Sequence, residues 1–248
     1  MDYSYVARDT LTLINRENLP KSTNYYPEDI KFLLKEKREK KFHPEINILF
    51  TDTISAAQRL TKTLGEDLCV LNFASATRPG GAFLENQKAG QEESLCRSTS
   101  LFAHLENSEG YSLSRKNDLQ SLYHDWVVFS PGIEYFKDSK GQKLENPFKT
   151  SIISCAAPNA RKARRKNVDS KTINIVMRKR IEAVLSVASL QNQRHLLLGS
   201  WGTGCFGNSI YTVAKAFRES LRKYNFKSIT FSLISERDFQ VFKKIFNC

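Results

Sequence analysis

No apolar run in the 248 residues approaches the length of a membrane span. The opening stretch, MDYSYVARDT, has no basic segment followed by an apolar core, so a secretory signal is not expected. Cysteine is scarce and odd in number. Cys69, Cys96, Cys155, Cys205 and Cys248 show no C-x-x-C spacing, which argues against a disulfide framework and against a zinc site. Several lie in apolar runs, where a free thiol behaves as a small hydrophobe. The four histidines, His43, His104, His124 and His195, are scattered and are read as structural, so no metal is called for. Internal repeats are missing too. These absences predict an intracellular protein in a reducing compartment, cytoplasmic with the nucleus left open.

What is plentiful is positive charge: 38 Lys and Arg against 26 Asp and Glu, a formal net charge of +12. Such an excess favours phosphate-bearing or polyanionic partners and says nothing about fold. An apolar content of 40% suffices for a sizeable core and excludes wholesale disorder.

Residues 3–16 and 27–40 carry helical spacing or propensity without a chemical motif, and are read as an N-terminal helical extension covering residues 1–44. From residue 45 to 248 the pattern alternates. Candidate strands are 46–50, 67–73, 125–130, 150–156, 195–200 and 228–234; candidate helices are 53–64, 91–105, 171–190, 208–224 and 236–246. Several of the strands are short continuous apolar runs, as in a sheet covered on both faces, so the expectation is an α/β fold with helices on either side. The basic run RKARRKN (161–167) is read as an exposed loop, facing solvent or phosphates.

Two glycine-bearing stretches stand out. Gly202-Thr203-Gly204-Cys205-Phe206-Gly207 fits G-x-G-x-x-G, a pattern that places backbone N–H groups and a helix N-terminus around a diphosphate. A dehydrogenase-type Rossmann domain fits poorly. That fold carries the pattern on its first strand, with an acidic residue about 20 positions later, whereas here the loop follows a late strand and Glu236 lies too far on. A purely structural glycine turn is the alternative. The second stretch runs from LNFAS (71–75) through Pro79-Gly80-Gly81 to Gln91-Glu92-Glu93. Pro and Gly let backbone approach a ligand closely, and adjacent carboxylates at a helix start are either chemistry or mere dipole partners. Both loops follow predicted strands, so they are expected at one sheet edge, where ligands bind.

Taken together, PGGAFLENQKAGQEESLCRSTSL, LNFAS, SCAAPN (154–159) and GSWGTGCFGN (199–208) resemble the poly(ADP-ribose) glycohydrolases, whose signature is G-G-G followed, after a short spacer, by Q-E-E. The resemblance is to the short bacterial-type branch and extends over nearly the whole chain. It implies a macrodomain-like three-layer α/β/α sandwich around a mixed sheet. It also implies cleavage of ribose–ribose O-glycosidic bonds in poly(ADP-ribose), with ADP-ribose as product, no cofactor, and a monomer. By motif position Glu93 is the catalytic acid and then the base that activates water, while Glu92 binds ribose hydroxyls. Consecutive helical residues point about 100° apart, so the two carboxylates cannot aim at one atom. The neighbouring carboxylate and the ligand's diphosphate are expected to raise the pKa of Glu93, with a helix N-terminus opposing.

The resemblance further implies that Gln91 binds the distal ribose and holds the loop, that Gly80 and Gly81 let backbone approach that ribose, and that Gly202, Thr203, Gly204 and Cys205 donate N–H groups to the diphosphate. Phe206 matches the family aromatic that packs over the distal ribose, or else is a core aromatic under a glycine turn. Asn72 either positions ribose or water or braces the loop, and Asn208 is expected as a helix cap. One departure is Ala82 where the family has a third glycine. At a positive φ the alanine would cost on the order of 1 kcal/mol; at a negative φ its methyl would crowd the ribose. Ala82 and the charge leave room for a hydrolase of single ADP-ribose units on protein or nucleic acid. A non-catalytic ADP-ribose reader would be expected to lack the acid pair, and a general nucleic-acid binder needs neither loop.

Overall fold

The computed structural model describes residues 2–35, 43–87 and 90–247. Its frame is one seven-stranded sheet made of β1 (Thr23–Tyr25), β2 (Glu45–Phe50), β3 (Leu68–Phe73), β4 (Val127–Lys137), β5 (Lys143–Cys155), β6 (His195–Gly199) and β7 (Ser228–Leu233). The order across the sheet is β1-β4-β5-β3-β6-β7-β2. Strands β5, β3, β6, β7 and β2 run parallel, whereas β4 is antiparallel to β5 and β1 is antiparallel to β4.

Central strand β3 shows why two helical layers form. Its sequence LCVLNF is apolar almost throughout, and its side chains alternate between faces. Leu68 and Val70 enter one core; Cys69 and Leu71 enter the other. The first core is closed by α1 (Tyr3–Leu13), α3 (Thr53–Leu64), α4 (Gln91–Ser98), α5 (Leu101–Leu105) and α6 (Glu109–Lys116). The second lies under α2 (Pro27–Leu33), α8 (Ser170–Leu190), α9 (Ile210–Leu221) and α10 (Glu236–Phe246). The expected three-layer sandwich around a mixed sheet is therefore the fold. Among the described residues no helix is long and apolar enough to cross a membrane.

Several elements depart from the sequence reading. The expected helix 91–105 is two helices, because Thr99 is extended (φ −137°, ψ 173°) and bridges to Tyr135. Its hydroxyl bonds the Leu95 carbonyl at 2.8 Å and accepts from the Leu101 N–H at 3.1 Å, a local competition with helix that Ser and Thr offer. The basic run is not a loop: α7 (Ala160–Arg165) starts on the Asn159 side chain and buries Ala160 and Ala163 while its cations face outward. Strands β4 and β5 extend well past the apolar runs 125–130 and 150–156, and α6 and the three-residue edge strand β1 were not anticipated. The helix expected over 27–40 is described as Pro27–Leu33; positions 36–40 lie outside the described residues, as does Cys248.

The segment ahead of β2 is fastened to the rest. It supplies edge strand β1, and α1 packs on α4. Lys137, only 1% exposed, donates to Asp9 Oδ2 at 2.8 Å, to the Val6 carbonyl at 2.7 Å and to Thr10 Oγ1 at 2.8 Å.

Candidate active site

Parallel strands β5, β3 and β6 are neighbours, so the segments that follow them leave the sheet at one edge, side by side. After β3 the chain makes the Pro79-Gly80-Gly81 turn, closed by the Gly81 N–H on the Arg78 carbonyl at 3.0 Å and the Phe83 N–H on the Gly80 carbonyl at 3.1 Å. Both glycines have positive φ, +69° and +56°. A Cβ on Gly80 would lie 2.8 Å from the Phe83 ring, and one on Gly81 would lie 2.2 Å from Glu93 Oε1 and 3.3 Å from Glu92 Oε2. The turn is thus pressed onto the carboxylate pair, and only glycine fits. Ala82 is absent from the positive-φ residues, so alanine is unstrained there. Its N–H donates to Glu93 Oε1 at 3.1 Å.

Glu92 and Glu93 open α4 and diverge as helical geometry requires. Glu93 is half-buried and faces the turn. Glu92 points inward and is 2% exposed. Its Oε2 accepts from the Ser75 N–H at 2.7 Å, and its Oε1 accepts from Asn72 Nδ2 at 3.4 Å and the Tyr111 hydroxyl at 3.5 Å. Burial pushes the Glu92 carboxyl up to about 8, and the charge of Glu93 adds to this, against the opposing N–H bond from Ser75. The acid whose carboxyl burial raises is thus Glu92.

Gln91 completes the end of β3. Its Oε1 accepts from the Phe73 N–H at 2.9 Å, and its Nε2 donates to the Leu71 carbonyl at 2.8 Å and to Thr53 Oγ1 at 3.4 Å. Asn72 is fully buried and donates to Ser154 Oγ at 3.0 Å as well as to Glu92. Sequence reasoning missed Tyr111 and Ser75. Tyr111 lies on a helix not foreseen, and the signal available for Ser75 was its place in the quoted LNFAS run.

The second glycine loop follows β6. Gly202 (φ +75°) has no room for a side chain, since a Cβ would lie 2.7 Å from that of Ala157. Gly204 is the reverse: a Cβ there would meet nothing within 4 Å, and its φ is not positive. No intrinsic constraint makes Gly204 glycine; open space above a backbone N–H does suit an approaching ligand. The N–H groups of Gly202, Gly204 and Cys205 have no acceptor among the described residues. The Thr203 N–H, expected to be a fourth donor, is instead directed to the Ser200 carbonyl at 3.3 Å. Phe206 is half-buried between both cores, its ring centroid 6.2 Å from that of Tyr123. Asn208 is not the helix cap. Ser209 caps α9, and the Asn208 amide bonds the Pro158 and Gly202 carbonyls at 2.9 Å each, tying the loop to the end of β5. The N-terminus of α9 adds its positive end to the loop.

Backbone N–H groups without an acceptor and a carboxylate pair thus lie on adjacent strand ends of a macrodomain-like α/β/α sheet. Residues 2–138 match the family model described as microbial-type PARG, catalytic domain. Among solved structures, the poly(ADP-ribose) glycohydrolase (PARG) of Thermomonospora curvata is 28% identical, with 98% of each chain covered and a TM-score of 0.87. Its complex with the inhibitor ADP-HPD gives 29% identity, the same coverage and a TM-score of 0.85. The Deinococcus radiodurans PARG in complex with ADP-ribose is 32% identical over 93% of this chain and 94% of that one, with a TM-score of 0.81. No curated protein sequence matches. The chain belongs to the microbial-type poly(ADP-ribose) glycohydrolase family and is a glycohydrolase.

Proposed function

We propose that this glycohydrolase releases ADP-ribose from poly(ADP-ribose) with Glu93 as its proton-transfer group. The observation that supports the assignment is the seat of Glu93: half-buried, against Gly81 and the Ala82 N–H, on the strand end beside the glycine cradle. Glu93 as an acid gives its proton to the leaving 2′-oxygen as the glycosidic C–O pair departs with that oxygen. A water then bonds to the anomeric carbon and returns a proton to the Glu93 carboxylate. Glu92, sunk under Ser75, Asn72 and Tyr111, supports the turn and the ribose end from below. The N–H groups of Gly202, Gly204 and Cys205 receive the diphosphate, with Phe206 and the Gly80–Gly81 backbone against the distal ribose. Gln91 and Asn72 hold these parts in register.

Of the support that Ala82 lends to single ADP-ribose units as substrate, backbone strain is removed, and the methyl group beside the ribose is what is left. A reducing, cytoplasmic setting and a monomeric state belong to the same reading; the free thiols of Cys69, Cys96, Cys155 and Cys205 support the former. Chain-length analysis of labelled polymer tests the whole. The parent releases ADP-ribose, and Glu93→Gln slows release by at least about a hundredfold while still binding ADP-ribose. Wild-type turnover in Glu93→Gln removes Glu93 from the mechanism.

A further inference from the structure

Arg97 lies one helical turn beyond Glu93 on α4 and is 4% exposed. Its guanidinium pairs with no carboxylate among the described residues. It donates instead to four backbone carbonyls: Phe83 at 2.8 Å through Nε, and Ala82 at 3.3 Å, Glu85 at 3.0 Å and Gln87 at 3.0 Å through Nη2. These carbonyls belong to the irregular stretch that continues the Gly80–Gly81 turn. The Ala82 and Glu85 carbonyls also accept from the Glu85 and Gln87 N–H groups, at 3.0 and 2.8 Å, and a buried cation at that place repays its desolvation only through such bonds.

The outward face of Arg97 is covered by α1. The Tyr3 ring stacks on the guanidinium, 4.8 Å from ring centroid to Cζ, and the Tyr3 N–H donates to Asn86 Oδ1 of the same stretch at 2.9 Å. Thr10 Oγ1 bonds the Arg97 carbonyl, and Lys137 pins α1 to β4 through Asp9, Val6 and Thr10. A continuous set of contacts thus runs from β4 through α1 to Arg97 and on to Ala82, whose N–H meets Glu93.

We propose that Tyr3 and Arg97 are positioning residues of the hydrolysis. Helix α1 holds the Arg97 fork in place, and the fork holds the Ala82 carbonyl, on the peptide next to the one whose N–H meets the Glu93 carboxylate. The inference rests on Glu93 being the proton-transfer group. A displacement of that peptide by a fraction of an ångström would alter how Glu93 faces the sugar without removing any ligand contact, so the loss falls on kcat.

The test is a pair of substitutions at Tyr3, with kcat and KM on defined polymer, ADP-ribose affinity by calorimetry, and Tm. Tyr3→Leu retains bulk and loses the ring face; kcat is expected to fall about 3- to 30-fold with KM within about twofold. Tyr3→Phe keeps the face and retains parental kcat. Arg97→Lys keeps charge, loses the fork, and falls further, by about a hundredfold. Parental kcat in Tyr3→Leu, a Phe variant as slow as the Leu variant, or a loss that tracks the unfolded fraction overturns the proposal. Glu93→Gln assayed alongside separates the two readings: if it is inactive while Tyr3→Leu is unaffected, only the brace fails; if it is fully active, the acid assignment fails whatever Tyr3 does.

Discussion

Gly81 and Glu93 touch: the α-carbon of the first is so near the carboxylate of the second that a methyl group would lie 2.2 Å from Oε1. The turn and the acid are built as one unit. Gly81→Ala must displace the Glu93 side chain or the turn, and adds a strained positive φ of about 1–2 kcal/mol. We expect hydrolysis of polymer to fall by at least about a hundredfold, more than Tm alone accounts for. Rate and thermal melt measured on the same preparation check this.

Gly204 gives the contrasting case. Nothing stands within 4 Å of its missing side chain, so Gly204→Ala should fold as well as the parent, with Tm changed by no more than about 2 °C. If the backbone here receives a diphosphate, the methyl obstructs it and ADP-ribose affinity drops about tenfold. Undiminished affinity by calorimetry would remove Gly204 from the cradle.

Much of this site could be read along the chain, and the reasons for the rest are local. The glycine turn and the carboxylate pair lie within one short stretch, so spacing revealed them, and β3, β6 and β7 showed as apolar runs. The outer halves of β4 and β5 did not, because polar residues interrupt their apolar pattern, with Glu134, Glu145 and Lys149 exposed or half-exposed among their apolar residues. The depth of Glu92 was hidden, since its burial depends on Asn72 and Ser75 at the end of β3 meeting Tyr111 from α6. Asn208 and Ser209 are both good cap residues by type; only the positions of Pro158 and Gly202 decide that the asparagine serves the loop and the serine caps the helix.

Glu92 should make stability depend on pH. Its carboxyl is raised from an ordinary 4.5 to about 8, chiefly by burial. Between those values the folded chain keeps a proton that the unfolded chain has released, so this group's contribution falls as pH rises through the window and is fully lost above about 8. Glu92→Gln cannot ionise. Its unfolding free energy relative to the parent is expected to improve steadily from pH 5 to pH 8.5 in urea titrations, and a constant difference would mean that Glu92 is ionised throughout.

Asp9 is the counterpart with the opposite sign. Its bond to Lys137, reinforced by Lys143, holds its carboxyl below the ordinary 3.8, so its stabilisation is present above that value and lost as pH falls through the depressed one. Asp9→Ala leaves Lys137 buried without its carboxylate, a change that costs about 3 kcal/mol in comparable buried pairs. Urea unfolding at neutral pH measures the cost directly. Partial recovery in the double variant with Lys137→Met is the expected signature of the pair.

At position 82 the constraint concerns the main chain. What Glu93 takes from this position is a hydrogen on nitrogen, which nineteen of the twenty standard residues supply and proline alone withholds. A search pattern written as three successive glycines therefore passes over chains like this one, whereas two glycines followed by anything but proline describes what the carboxylate needs.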